Sequence, residues 1–264
     1  MKTIQFITFI LLLLSKYTSA QFSATTNSNA AQLAQNLAGP GVQILNPVLD
    51  CGTTSTGFFT ATGTNLGLGS GIVLSTGGPN EASLAPNSFG AGSGISIDDA
   101  DLATITIRKQ YDVCKLEFDI VPNCTQIDVN YVFASVEYPT YVCSNYNDAF
   151  GFFISGPGIV GNQNIAVVPG SSSPVSINNV NSGIVGSAGS AGGCPANTNS
   201  NFYVDNAART SINSYGGFTT LLTASSAVQA CSIYHVKLVI ADIQDGGLNS
   251  AIFLKLQGVT CNPL

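Results

Sequence analysis

Apolar residues recur along this chain mostly with a period of two. In KLEFDIV (115–121), Leu116, Phe118 and Ile120 alternate with Lys115, Glu117 and Asp119, the pattern of a strand with one buried and one wet face. QIDVNYVFASV (126–136) repeats it with Ile127, Val129, Tyr131 and Phe133. AFGFFIS (149–155) is apolar in both phases and predicts a strand covered on both faces. Earlier, GVQILNPVLDCG, GFFTATG and SGIVLSTGG read as short strands cut by glycine-rich turns. Further strands are expected at 164–168, 217–224, 232–241 and 251–259. Helical spacing appears once, where Leu33, Ala34 and Leu37 share a face, with Ser28 or Asn29 as N-cap and Gly39-Pro40 as the stop. Many short strands and one short helix predict an all-β fold, an antiparallel β-sandwich of jelly-roll type, with an up-and-down barrel as the alternative.

The two ends of the apolar scale refine this picture. Lys2, the apolar run 4–14 and a small-residue exit at Ala20 read as a secretory signal peptide over 1–20, the run being too short to span a bilayer. Residues 21–264 are then one β-domain. At the other extreme, the stretch 171–200 is almost all Gly, Ser, Asn and Ala, with too little apolar surface to order itself, and is read as a long loop. No repeat of solenoid or propeller length is visible.

Charge and cysteine usage narrow the class. Lys2 and Lys16 lie in the leader, which leaves six basic against fourteen acidic residues. Such a balance excludes nucleic acid and anionic membrane surfaces as partners and suits cations. No transmembrane segment is expected. Seven cysteines behind a signal peptide predict disulfides and a secreted, extracellular protein, with one thiol left unpaired or joined to another chain as a covalent dimer. Cys143 with Cys194 would tie two loops, and Cys114 with Cys231 would tie two strand starts. Asn123-Cys124-Thr125 is a glycosylation sequon in a eukaryotic host.

Candidate chemistry is thin for an enzyme. His235 is the single histidine, with Lys237 on the same strand face, and no GxSxG elbow or phosphate loop occurs. Glu117 and Asp119 have the spacing of a polysaccharide hydrolase pair, but alternating acids also mark any half-solvated strand. Asp98, Asp99 and Asp101 could bind a cation, but they read first as a solvated acidic turn whose first aspartate caps a short helix. A non-enzymatic role follows.

Polar residues concentrate in EYPTYVCSNYNDAFGFFISGPG (137–158) and in ADIQDGGLNS (241–250). Glu137, Asp148, Asp242 and Asp245 offer hard oxygen ligands from loops, the donor type that calcium takes, provided the two loops meet at one end of the sandwich. Glu137, Tyr138, Tyr141, Asp148 and Asn249 are the candidate ligand-binding residues, since tyrosine suits both a glycan and a protein partner. The resulting reading is a secreted, disulfide-stabilised binding or adhesion module for an extracellular glycan or protein. The alternative is a matrix or coat component that associates through sheet edges or the unpaired cysteine.

The ordered blocks AAQLAQNLAGPGV, SGIVLSTGG, YDVCKLEFDIVP, the 137–158 segment, NIAVVPGSSSPVSINNVN, GGFTTLLTA and YHVKLVIADIQDGGLNSAIFL resemble the choice-of-anchor L domain, from about residue 29 to 257. The resemblance implies an exported, surface-associated β-rich domain and carries no activity with it. Glu137, Tyr138, Cys143, Asp148, Asp242 and Asp245 match that family's acidic and cysteine-bearing positions, while Ala134-Ser135-Val136 replaces its usual Gly-Ser before Glu-Tyr-Pro. No anchoring tail follows Cys261, so covalent surface attachment is not expected. The Asp148-x-x-Gly151-Phe152-Phe153-Ile154 pattern is also similar to the sugar-site strand of legume-type lectins.

Overall fold

A computed structural model describes residues 21–80, 92, 97–209, 212 and 214–261. The expected leader over 1–20 lies outside the described residues.

Two antiparallel sheets face each other. The larger runs in the order β1 (Gln21–Thr26), β3 (Thr56–Thr62), β4 (Ser70–Ser75), β13 (Ser250–Cys261), β6 (Gln126–Ser135), β10 (Gly217–Thr219) and β9 (Tyr203–Asp205), with β11 (Leu222–Ala227) also paired to β6. The smaller runs β2 (Val42–Asp50), β5 (Gln110–Pro122), β12 (Tyr234–Ile243), β7 (Ala149–Ser155) and β8 (Gln163–Asn164). Two separate sheets make this a sandwich and set the closed barrel aside. The helix α1 (Ala30–Leu37) packs on β2 and β13, buries Leu33, Ala34 and Leu37 completely, and is capped by Asn29, whose side chain accepts from the Gln32 amide.

The period-two pattern explains the core. Ile127, Val129, Tyr131 and Phe133 of β6 meet Leu116, Phe118 and Ile120 of β5 and Phe150, Phe152 and Ile154 of β7 between the sheets. The opposite phase is apolar wherever a second layer covers a sheet. Val132, Ala134 and Phe253 join Phe59, Tyr215 and Phe218 on the outside of the larger sheet. Ala149 and Phe153 join Val239 and Leu102 under the short 3-10 turn Leu102–Thr104, outside the smaller one. AFGFFIS is therefore buried on both faces although β7 lies next to the sheet edge.

One segment lies outside the expected elements and one departs from its reading. Residues 21–26 form an edge strand, because an edge needs only one apolar anchor, and Phe22 supplies it by stacking near Phe59 and Phe253. The stretch 171–200 is ordered. Val175, Ile177 and Val180 are fully buried, and asparagines stand in for a sheet ladder. Asn178 accepts from the Cys143 amide and donates to the Ser144 carbonyl; Asn181 donates to the carbonyls of Ile177 and Asn178, and Asn199 to that of Asn179. Side-chain amides with both donor and acceptor satisfy loop backbone groups that composition alone leaves unpaired.

Three disulfides close the fold: Cys51–Cys114, Cys124–Cys261 and Cys143–Cys194. The expected Cys114–Cys231 pair is corrected. Asp50 pairs with Lys115 across β2 and β5, so the next residues, Cys51 and Cys114, are opposed. Cys231 precedes β12 and lies at the far end of that strand from Ile240, the partner of Cys114. It is free and exposed.

Candidate functional site

Antiparallel pairing brings six strand ends to one pole of the sandwich. Asp112 lies near the start of β5, Asp242 near the end of β12 and Asp148 just before β7, all on the smaller sheet. Glu137 follows β6, Thr76 follows β4 and Ser250 opens β13, all on the larger. Asp148 joins the two sheets, because its Oδ1 accepts from the Ile243 amide at 2.9 Å and its Oδ2 from the Ser250 hydroxyl at 2.5 Å. The turn before Phe150 and the turn after Ile240 thus share one end of the molecule.

The carboxylates there are out of water. Glu137, Asp148 and Asp242 are 3%, 1% and 1% exposed. Glu137 Oε2 and both Asp242 oxygens lack a hydrogen bond of good geometry, although Thr76 and Asp148 lie close enough to interact with the Asp242 carboxyl, and poorly satisfied buried charge is costly. Protonation is the response available to the protein alone. Burial, then the charges of Asp148, Asp242 and Asp245, hold Glu137 well above the ordinary carboxylate range. Asp242 is raised likewise, by burial first and then by Asp148 and Asp112. Burial raises Asp148 to about 7 even though Ser250 and the Ile243 amide pull it back.

Asp112 is the residue that sequence reasoning missed. It sits in left-handed backbone (φ 50°) at the irregularity where β5 and β12 lose register between Ile240 and Asp242. A Cβ on Gly92 or Gly246 would come within 2.3 or 2.4 Å of its Oδ2, so neither position has room for a side chain. The signal was present: the inward phase Ile120, Phe118, Leu116, Cys114 runs on to Asp112, an acid where the pattern asks for an apolar residue.

Other expected residues take different places. Tyr138 is 1% exposed and donates to the Val180 carbonyl, plugging the end of the core. Asn249, beside Thr76, is buried, as are Glu137 and Asp148. Tyr141 is partly exposed and meets Tyr146 edge to face at 5.3 Å. Asp245 is exposed, and its Oδ1 accepts from the Gly247 amide. Among the described residues, no three Asp, Glu, His or Cys side chains already stand in ligating positions around one point.

Beside the acids an open cleft of about 380 Å³ is lined by Thr106, Arg108, Ser144, Asn145, Asn147 and Asn178. The Cys143–Cys194 bridge pins its wall. A second, more apolar groove of about 410 Å³ runs between Pro139, Thr140, Ile184, Val185 and Tyr203. On the smaller sheet's outer face His235 sits between Asp119 at 3.0 Å and Glu117 at 3.7 Å. Burial opposes ionisation of Asp119, but hydrogen bonds from Asn46 and His235 win and lower it, the reverse of what a glycosidase acid requires. Asn123 is exposed, next to the bonded Cys124.

The choice-of-anchor L model matches residues 21–260, nearly the whole chain. The chain belongs to the choice-of-anchor L domain family. Neither the curated proteins nor the solved structures give a significant match. Membership in the choice-of-anchor L family and three disulfides fit a surface or extracellular module, and the family is not known for catalysis. No helix among the described residues is long and apolar enough to cross a membrane.

Proposed function

We propose that the chain is a secreted binding or adhesion module whose loop-bearing pole takes a calcium ion between Glu137, Asp148 and Asp242, with Asp112 and Asp245 adding negative potential. The observation that carries this reading is the set of three buried carboxylate oxygens without a hydrogen bond of good geometry. A divalent cation would satisfy them together, and calcium tolerates the irregular, loop-derived oxygen shell available here. Glu137 and Asp242 would turn their free oxygens inward on binding, while Asp148 keeps lone pairs beyond its bonds to Ser250 and Ile243. The ion would tie the ends of both sheets and stiffen the 144–147 wall of the polar cleft, where an extracellular glycan or protein would dock.

Isothermal titration of chelator-stripped protein with calcium tests the metal. Heat of binding with a rise in Tm is expected, and both should vanish in Asp242→Asn. No heat and no stabilisation would reject the ion and leave the cleft to be tested by glycan and protein arrays. The exposed thiol of Cys231 favours a second reading, a coat component linked between chains. A dimer on non-reducing gels that disappears with reductant would support it.

A further inference from the structure

On the smaller sheet's outer face, Lys237 occupies the middle of β12, opposite Glu117 on β5 and Phe153 on β7. Its side chain is only 10% exposed, because the segment 98–105 folds across it. Asp99 in that segment is 5% exposed and accepts from Lys237 Nζ through both oxygens, at 3.0 and 2.9 Å. The same Asp99 Oδ1 accepts from the amides of Asp101 and Leu102, both at 3.0 Å. Gln110 fixes it further by exchanging bonds with its backbone amide and carbonyl. Thus Asp99, rather than Asp98, caps the short turn, while Asp98 pairs with Lys109 at the surface.

Asp101 completes the group. Its Oδ2 is in direct contact with Lys237 Nζ, and its Oδ1 accepts from Asn162 Nδ2 at 3.0 Å. The Phe153 ring lies 5.8 Å from Nζ and shields it on the sheet side. An amine and a carboxyl are therefore held against each other, with a second carboxylate on the amine and an amide donor on the carboxyl oxygen. Simple charge pairing needs neither the second carboxylate nor the donor.

We propose that Lys237 and Asp101 condense to an intramolecular amide, with Asp99 carrying the proton and Asn162 holding the carbonyl oxygen. The reaction starts from the neutral pair, Lys237 amine and Asp101 carboxylic acid, one proton transfer from the ion pair. The Nζ lone pair attacks Asp101 Cγ, and the developing negative charge on Oδ1 is met by Asn162 Nδ2, as in an oxyanion hole. Asp99 takes a proton from Nζ and delivers it to the departing hydroxyl. The N–C bond forms, the C–OH bond breaks and one water leaves, so no oxidant or cofactor is consumed. Burial disfavours the Lys237 ammonium, but Asp101 and Asp99 outweigh burial and keep it charged, so the neutral pair is a minor form. Fixed alignment offsets that, since well-oriented intramolecular groups reach effective molarities of roughly 10⁵–10⁸ M. The bond would staple the segment preceding β5 to the centre of β12, a useful tie in a domain exposed to proteases and shear.

Tryptic peptide mapping of the folded protein, reduced and denatured only before digestion, decides the matter. Expected is a branched peptide joining the fragment that ends at Arg108 to the one containing Lys237, at their summed mass less one water, with no cleavage after Lys237. Lys237→Arg and Asp101→Ala should remove the branch completely, and Asp99→Asn should remove it while both bonding residues remain. Linear peptides in full yield from folded wild-type protein would overturn the bond, whatever the variants do. Full branching in Asp99→Asn would overturn the role given to Asp99.

Discussion

Lowering or raising pH in the absence of calcium is the most direct perturbation of the buried acids. A carboxylate raised in the folded state binds a proton that the unfolded chain has released, so stability falls as pH rises between the two pKa values. Asp148 moves from an ordinary 3.8 to about 7. At pH 5 the folded state keeps that proton and the unfolded state does not; at pH 8 neither keeps it. Integrating over that window gives a loss of about 2–3 kcal/mol from Asp148, or about 5–10 °C in Tm for a domain of this size. Glu137 and Asp242, also raised, add to the loss in the same direction. Asp98 and Asp119 are lowered, so their stabilisation fades only as pH drops below about 4 and does not interfere.

Differential scanning fluorimetry in chelator from pH 5 to 8 would measure this. A falling Tm is expected, and calcium should flatten or reverse it, because an ion replaces the protons and binding at a hundred times Kd adds about 2.7 kcal/mol. A Tm that is level or climbs across this range in chelator would refute the claim that these three acids are buried together without a cation. Asp242→Asn provides the internal control, since it removes one of the charges and should shallow the slope in chelator.

Tyr138→Phe removes the donor to the buried Val180 carbonyl and should cost about 1–3 kcal/mol in urea denaturation. Replacing Cys143 and Cys194 together by Ala releases a bridge that spans 51 residues and should cost about 2–4 kcal/mol; hydrogen exchange should then rise first around 178–194. Phe253→Ala empties the centre of the outer aromatic cluster with Phe22, Phe59 and Tyr215 and should destabilise by about 3–5 kcal/mol by the same denaturation assay. Cys231→Ser should leave Tm unchanged, since its side chain is exposed and unbonded.

What the sequence discloses follows from which interactions are local. Alternation in β5, β6 and β7 is a property of consecutive residues, so both the sandwich and its inward faces can be read directly. Convergence of the 137–148 and 242–250 turns follows once strands are known to run antiparallel, because a residue after one strand and one before its neighbour reach the same pole. Burial is different. Asp242 and Asp245 are three positions apart and alike in the sequence, yet one is 1% exposed and the other lies in solvent. Asp242 lies near the end of β12, packed between the two sheets, whereas Asp245 lies in the turn beyond it. Lys237 shares a strand face with His235, and only the fold of 98–105, contributed from far upstream, carries Asp99 and Asp101 onto it. Alternation identifies the face a side chain points to, and a distant segment decides whether that face is wet. The acids and amines that matter in this protein are those on nominally wet or terminal positions that a loop has covered, and their covering segments are the ones with the weakest local pattern.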